Sequence, residues 1–353
     1  MVKKGISTFK IAATYIGTIV GAGFATGQEI LQFFARFGKP GLIGLALTTT
    51  LFMYFGYVIM SLGKQVNAES HLDVIRYSGK KVITILTDIL ITFFLFGAFA
   101  AMIAGTGALF QQQFHINAIV GNIVMAVLTA VTVLIGFDAV INSISFVVPF
   151  LLVSVIGISI YSIINAPPVF SETVLPLQGG MVNGWFLAAI VYVSYNTVIS
   201  ISVLGPLGAQ TKNRKMLTMG SIIGGLGLGL GSLFIFLALL GNLTDIASLE
   251  VPMIFIAGRM NPIVQVVYAV ILVAEIYTTA VGSLYGFVAR VNKNDKKKTR
   301  TRIVTILVTI SAFMAGQLGF SNLVKYLYPL VGYGGLLMLI SLVLAMRKAD
   351  KQN

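Results

Sequence analysis

The sequence has no cysteine, only two histidines and few charged residues for its length. Without cysteine, disulfides and thiolate metal sites are excluded, and His71 and His115 alone do not make a zinc site. Charged residues are 10% of the 353 residues, whereas soluble domains carry about 25%. Such a chain cannot cover a water-facing surface, so lipid must be the solvent for much of its exterior.

Long apolar stretches account for most of the chain, 57% of which is hydrophobic. Since a span needs about 20 residues, the length predicts about ten transmembrane helices and no separate soluble domain. They are predicted at Thr8–Phe37, Gly41–Gly63, Val82–Gln111, Asn117–Gly136, Ala139–Ile164, Asn183–Gly208, Met216–Leu240, Pro262–Ala289, Ile303–Leu318 and Asn322–Met346. A shorter apolar piece, Val251–Ile256, cannot span and predicts an external hairpin helix.

Basic residues are concentrated in alternate loops of this arrangement. With a cytoplasmic N-terminus, 20 of the 24 lysines and arginines fall on the cytoplasmic side, as the positive-inside rule requires. This predicts a multi-pass protein of the bacterial inner membrane with both termini in the cytoplasm. The net charge of +13 then reflects this bias and attraction to anionic lipid. The basic run Lys293–Arg302 is interpreted as a solvated loop, and no nucleic-acid partner is expected.

The loop Asn165–Gly180 divides the chain into halves of similar length, 1–165 and 166–353. Each half holds five predicted helices. Because five is odd, the second half must lie upside down in the membrane relative to the first. Inverted repeats of this kind are a transporter architecture.

Four glycines interrupt predicted helix 1, at positions 17, 21, 23 and 27. Each interior glycine weakens a helix by about 1 kcal/mol relative to alanine. An opened turn in lipid is tolerated where it lines a cavity, and its free N–H groups attract an anion such as a carboxylate. Close helix packing through small residues is the alternative. Packing alone does not explain why Gln28 and Glu29 follow the glycines, so we predict a broken helix.

The segment from Gly17 to Phe24, Gly-Thr-Ile-Val-Gly-Ala-Gly-Phe, resembles the helix 1 signature of the amino acid–polyamine–organocation superfamily. More narrowly, the chain is similar to the YkvI-type bacterial membrane proteins, a group of proposed permeases. The resemblance implies an all-α, five-plus-five inverted repeat of LeuT type with helices 1 and 6 broken. It places a solute carboxylate against backbone groups of Gly21, Ala22, Gly23 and Phe24. In sodium-coupled members two helix 1 carbonyls bind the ion, and Gly17 and Val20 match them.

Polar side chains next to both predicted breaks complete the expected solute site. On helix 1 they are Thr26, Gln28 and Glu29. Glu29 could line the outer vestibule, bind a cationic solute group, or be a first-turn residue favoured by the half-helix dipole.

On helix 6 the polar cluster includes Tyr195, Asn196 and Thr197. Tyr195 could wall the pocket, and Asn196 could satisfy opened backbone groups or meet the solute. Alternatively these side chains only bond neighbouring helices. The glycine that superfamily members often carry in this break is absent here until Gly205.

Glu275 is the acidic residue that falls in the middle third of a predicted helix, helix 8. A charge there costs about 2.5–3.5 kcal/mol on insertion scales, so we expect Glu275 to face the protein interior. The resemblance matches Ala274, Thr278 and Thr279 to a sodium site. Glu275 is therefore either a charge beside sodium or a proton carrier.

Together these features predict a secondary transporter that works by alternating access, with Na⁺ or H⁺ as coupling ion and no other cofactor. Helices 1, 2, 6 and 7 would rock against helices 3, 4, 8 and 9. An amino acid or related zwitterion is the favoured solute because a helix N-terminus suits a carboxylate. A solute-sensing receptor subunit is the alternative. An enzyme is not expected, since no nucleophile–base pair is found.

Overall fold

The computed structural model describes residues 7–78, 81–135, 138–170, 181–211, 213–292 and 298–350, and every regular element among them is helical. The α-helices are α1 (Thr8–Ile19), α2 (Ala22–Ala25), α3 (Gln28–Phe33), α4 (Lys39–Gln65), α5 (His71–Ser78), α6 (Lys81–Phe114), α7 (Ala118–Ile135), α8 (Asp138–Asn165), α9 (Trp185–Ala209), α10 (Arg214–Leu240), α11 (Leu243–Ile246), α12 (Pro252–Met260), α13 (Pro262–Val291), α14 (Lys298–Gly316) and α15 (Phe320–Asp350). A 3-10 turn covers Ala35–Phe37.

Each predicted transmembrane segment has a helical counterpart. Predicted helix 1 is divided into α1, α2, α3 and the 3-10 turn, and predicted helices 2 to 10 correspond to α4, α6, α7, α8, α9, α10, α13, α14 and α15. The short helix predicted at Val251–Ile256 is α12, whereas α5 and α11 were not predicted. Residues 171–180 of the loop that was predicted to separate the halves lie outside the described residues.

Seven of the described helices are long and apolar enough to cross a membrane: α4, α6, α7, α9, α10, α13 and α15. The segments α1 to α3 are individually short, and α14 begins with Lys298, Arg300 and Arg302. Ten crossings therefore remain a prediction.

Large apolar side chains cover much of the outer surface. On α7, Ile119, Ile123, Val127 and Val131 are all exposed, whereas Thr129 of the same helix is fully buried. An apolar exterior of this extent is stable only against lipid, so the chain is a multi-pass membrane protein.

The long helices form two packed groups. In the first, α4 packs against α9 and α10, and α1 packs against α10 and α9. In the second, α6 packs against α7, α13 and α14. Helix α15 contacts both groups through α9 and α6, and α8 contacts α10 and α13. These are the two sets of helices that were predicted to rock against each other.

Helix ends gather on two sides of the molecule. On one side, which we call the basic side, Lys64 Nζ donates to the Thr211 carbonyl at 2.5 Å and Arg290 donates to Asp88 at 2.5 Å. On the other, the loop side, Gln112 Nε2 donates to the Val251 carbonyl at 2.9 Å.

The predicted break in helix 6 is wrong, because α9 runs without interruption from Trp185 to Ala209. The polar side chains that suggested the break bond to their own helix instead. Asn196 Nδ2 donates to the Tyr192 carbonyl at 2.9 Å and Thr197 Oγ1 donates to the Val193 carbonyl at 2.7 Å. Back-bonding of this kind satisfies polar groups inside a continuous helix. No glycine weakens this stretch of α9 before Gly205.

Glycines allow the backbones of α4 and α9 to touch. A Cβ at Gly208 would overlap the Met60 carbonyl, and one at Gly63 would overlap the Gly205 carbonyl. Such contacts between small residues let helices pack closely. In lipid, van der Waals attraction between closely packed helices, and not the hydrophobic effect, drives their association.

We predict that Gly208→Ala destabilises the protein by about 1–3 kcal/mol, because the added methyl group forces α4 and α9 apart. The measurement is the melting temperature of the purified protein in detergent. Gly157→Ala on α8 is the matched control, since a Cβ there meets nothing within 4 Å. Equal melting temperatures for the two variants would contradict the close packing.

Candidate functional site

The first transmembrane segment is interrupted twice, within the range that the glycines predict. Helix α1 ends at Ile19, Val20 caps it, and Gly21 is extended with φ −128° and ψ −172° before α2 begins. Gly27 then adopts φ +80°, a left-handed conformation that favours glycine, and α3 follows. The predicted break in helix 1 is confirmed.

Neighbouring elements satisfy the carbonyls that the second interruption frees. The Tyr268 hydroxyl of α13 donates to the Ala25 carbonyl at 2.5 Å, and the Met253 amide of α12 donates to the Thr26 carbonyl at 3.0 Å. The Thr26 hydroxyl donates to the Gly23 carbonyl at 3.0 Å. A broken helix in lipid is stable only with such partners, so α12 and α13 are part of the site.

The Glu29 side chain folds back from α3 onto α2. Its carboxyl group and Cγ occupy the space that a side chain at Gly23 would fill. The Tyr195 hydroxyl donates to Glu29 Oε2 at 2.5 Å, and the Tyr192 hydroxyl lies 3.3 Å from the same oxygen. The carboxyl group therefore joins the broken helix to α9.

Aromatic rings enclose this contact. The Phe33 ring lies 5.2 Å from that of Tyr192 and 5.7 Å from that of Tyr195, between centroids. Tyr195 also contacts Tyr328 of α15 at 5.1 Å and Phe94 of α6 at 6.2 Å. We call Phe33, Phe94, Tyr192, Tyr195 and Tyr328 the aromatic cluster. It includes residues from both helix groups and from α15.

No basic side chain pairs with Glu29 among the residues that the structure describes. Arg36, in the 3-10 turn beyond α3, donates to the Val182 carbonyl and lies 4.6 Å from the centroid of the Phe37 ring. Glu29 is 5% exposed. An isolated buried carboxylate is costly, so Glu29 must hold a proton or be neutralised by a cation that enters the site.

Glu275 is a second buried carboxyl group, 4% exposed, and its Oε2 has no hydrogen-bond partner. Residues seven apart lie on nearly the same helix face, so Glu275 shares the face of Tyr268, whose hydroxyl reaches α2. Seven residues of helix span about 10 Å. Glu275 therefore lies towards the basic side, on the face of α13 that is turned to the helix 1 break.

Open space adjoins this face. A Cβ at Gly21, at the break, and one at Gly282, seven residues beyond Glu275, would each meet no atom within 4 Å. The loop side is closed in contrast, since Gln28 Nε2 donates to Ser321 Oγ of α15 at 2.6 Å. A side chain would therefore have room at Gly21 and at Gly282.

The predicted sodium ligands lie on two elements, with Gly17 and Val20 at the end of α1 and Ala274, Thr278 and Thr279 on α13. Among the described residues, helix α1, which carries Gly17, makes no extensive contact with α13. Ala274 lines an apolar groove of about 510 Å³ between α6, α7 and α13. Thr278 Oγ1 donates to the Glu275 carbonyl at 3.0 Å, and Thr279 is partly exposed.

Of the predicted solute-binding residues, the structure brings Gly23, Glu29 and Tyr195 into one cluster. Gly21 borders the open space, whereas Ala22 and Phe24 are buried in α2. Gln28 is buried, and its Oε1 has no partner. Asn196 and Thr197 bond within α9.

Sequence reasoning missed most of the aromatic cluster. Tyr192 and Tyr195 are three residues apart and therefore share a helix face, a signal that could have paired them. Tyr328 and Phe94 come from distant segments, and nothing in their local sequence shows that they meet Tyr195.

Comparisons with known proteins agree with this architecture. The membrane protein YkvI of Bacillus subtilis (strain 168) is 29% identical to the chain over 348 residues, 98% of each protein. MhsT in complex with L-phenylalanine superposes with a TM-score of 0.63 and 16% identity over 88% of this chain and 79% of that one. A Na⁺-coupled sialic acid symporter gives a TM-score of 0.59 and 11% identity over 89% and 74%. No protein-family model matches the chain.

The chain has the LeuT-type fold. The predicted similarity to the YkvI-type proteins, and the LeuT-type fold that the resemblance implied, are therefore confirmed. In the LeuT-type fold of this chain the first segment is broken as expected, and the sixth is continuous.

We predict that Gly23→Ala lowers the melting temperature, because the new methyl group displaces the Glu29 side chain and breaks its bond to Tyr195. Losing a hydrogen bond to a charged or buried group costs about 1–3 kcal/mol. The effect should be much smaller when Glu29 is already alanine, since the space is then free.

The measurement is a double-mutant cycle of Gly23→Ala and Glu29→Ala by thermal unfolding. Additive effects would show that the two positions are not in contact. Gly21→Ala is the control and should be tolerated, because the space beside Gly21 is open.

Proposed function

We propose that the protein is an ion-coupled secondary transporter for a small polar solute that carries an ammonium group, a class that includes the predicted amino acids. The observation that carries the proposal is the buried carboxyl group of Glu29 at the helix 1 break. It has no cationic partner among the described residues, and aromatic side chains from both helix groups surround it. Sites that bind small polar molecules combine apolar walls with few polar groups in this way.

The packing of the helices supports alternating access. The two groups meet at the aromatic cluster and through α8 and α15, while each group is extensively packed within itself. On the loop side the site is covered by the bond between Gln28 and Ser321. Open space at Gly21 and Gly282 indicates where solute would leave towards the basic side.

Glu275 is the proposed coupling site. It is buried, lacks a partner at Oε2 and is turned towards the break. Sodium and a proton are both suitable, since either neutralises a buried carboxylate. Thr278 and Thr279 lie within one turn and would supply hydroxyl ligands to sodium.

The distribution of basic residues supports a cytoplasmic location of the basic side. With that orientation both termini are cytoplasmic and the open space faces the cytoplasm of a bacterial inner membrane. The halves 1–165 and 166–353 would then be the two inverted repeats.

The test of function is solute flux into proteoliposomes, with candidates chosen by a thermal-shift screen with and without sodium and at two pH values. Accumulation that depends on an ion gradient supports the proposal. Binding without flux would overturn it and favour a sensory subunit.

We predict that Glu275→Gln abolishes gradient-driven uptake while the protein still folds, because the neutral amide cannot exchange a cation or proton. The measurement is uptake with and without an imposed gradient, together with the melting temperature. Glu69→Gln, an exposed acid near α5, is the matched control and should leave uptake unchanged. Normal coupled uptake in Glu275→Gln would remove this residue from the mechanism.

We also predict that a single cysteine at Gly282 reacts with a membrane-impermeant maleimide from the cytoplasmic side. The chain has no cysteine of its own, so the introduced thiol is the only labelling site. The position has room for a side chain. Labelling in inside-out vesicles should be at least several-fold faster than in right-side-out vesicles. The reverse ratio would contradict the proposed orientation of the open space.

A further inference from the structure

The Glu29 carboxyl group occupies a position where a positively charged solute and a proton exclude each other. Tyr192 and Tyr195 both direct their hydroxyl groups to its Oε2. The cluster contains one carboxyl group and therefore accommodates one positive charge at a time. The charge can come from a proton or from an ammonium group.

The chemistry around Glu29 suits an organic cation better than a zwitterion. The faces of tyrosine and phenylalanine rings attract ammonium groups, and five such rings form the cluster. A solute carboxylate, in contrast, finds no lysine or arginine there among the described residues. It would also meet Glu29 itself, which already fills the space over Gly23 in the broken segment.

The groups that face Glu29 from the surrounding elements are few. Tyr192 and Tyr195 come from α9, and Tyr328 comes from α15. Segment α2 has no titratable residue, and those of α10, Arg214 and Lys215, lie at its far end on the basic side. Arg36 is directed to the Val182 carbonyl. Lys325 of α15 lines a small cavity with Phe33 and Arg36, and its Nζ lies 5.4 Å from the centroid of the Tyr326 ring. Among the described residues, neither cation is paired with Glu29.

We propose that the solute is an organic amine without a required carboxylate, and that it binds by displacing a proton from Glu29. This inference rests on the proposed transport function and specifies its solute and its exchange step. As the ammonium group pairs with the carboxylate, the proton leaves to water, and the net charge of the site is unchanged. The exchange is separate from the coupling site at Glu275.

Ring contacts make this exchange a conformational event. The rings of the cluster touch, with neighbouring centroids 5.1–6.2 Å apart for Tyr195, Tyr328 and Phe94. An amine therefore enters only when α9 moves relative to α6 and α15. The closed cluster is the arrangement that a proton on Glu29 would favour.

The test uses two pairs of probes that differ by a carboxylate: phenethylamine with L-phenylalanine, and cadaverine with L-lysine. Binding is measured on the purified full chain by calorimetry, and proton release by a pH indicator in weak buffer. We expect at least one amine to bind more tightly than its amino acid and to release a proton on binding. Below the pH at which Glu29 deprotonates, the affinity for the amine should fall about tenfold for each unit by which the pH is lowered.

Glu29→Gln should abolish both amine binding and proton release, and Glu29→Asp should retain proton release. Glu250→Gln, a carboxyl group outside the cluster that accepts from the Phe320 amide at 3.0 Å, is the matched control and should behave as the wild type. Melting temperatures establish that each variant is folded.

The inference is overturned if neither amine binds, if binding survives unchanged in Glu29→Gln, or if the amino acid of each pair binds more tightly. Flux without Glu29-dependent proton release would refute the exchange but leave the transport function standing. Proton release without flux would support the exchange at Glu29 but refute the transport function.

Discussion

The structure of the site depends on one buried carboxyl group. Glu29 lies in a region without a basic partner among the described residues, and its bonds to Tyr195 and Tyr192 join the broken first segment to α9. Because an uncompensated charge is expensive in such surroundings, neutralising this group determines how firmly these elements are held together. The closed aromatic cluster is the arrangement expected when the Glu29 carboxyl group is protonated.

The break that positions Glu29 is stabilised by hydrogen bonds to the backbone groups that it frees. Gly27 turns the chain through a left-handed conformation, which directs α3 so that its first-turn glutamate returns over Gly23. The freed carbonyls are bonded by Tyr268 and Met253, from elements more than 200 residues further along the chain. Opening the helix therefore costs little, because α12 and α13 supply the hydrogen bonds that lipid cannot.

Much of the fold was predictable because its causes are local or compositional. Apolar runs locate the helices, and the glycines between 17 and 27 locate the break. The site was less predictable. Asn196 and Thr197 suggested an opened α9, yet each side chain bonds one turn back along the same helix. A polar residue in an apolar helix shows that a partner exists, but not whether the partner is a solute, another helix or the preceding turn. Phe94 and Tyr328 meet Tyr195 only through the tertiary fold.

The aromatic cluster also explains how a single charge could be sensed by both helix groups. Tyr195 of the first group bonds Glu29 of α3, and the same ring packs on Phe94 of the second group and on Tyr328 of α15. A cation that replaces the Tyr195 hydroxyl as the partner of the Glu29 carboxylate must displace the Tyr195 ring. That ring cannot move without disturbing its contacts with Phe94 and Tyr328. Cores and interfaces of this density switch between discrete packings rather than deform gradually. In the proposed mechanism, binding at Glu29 is therefore coupled to the relative position of the two groups by direct contact through the Tyr195 side chain.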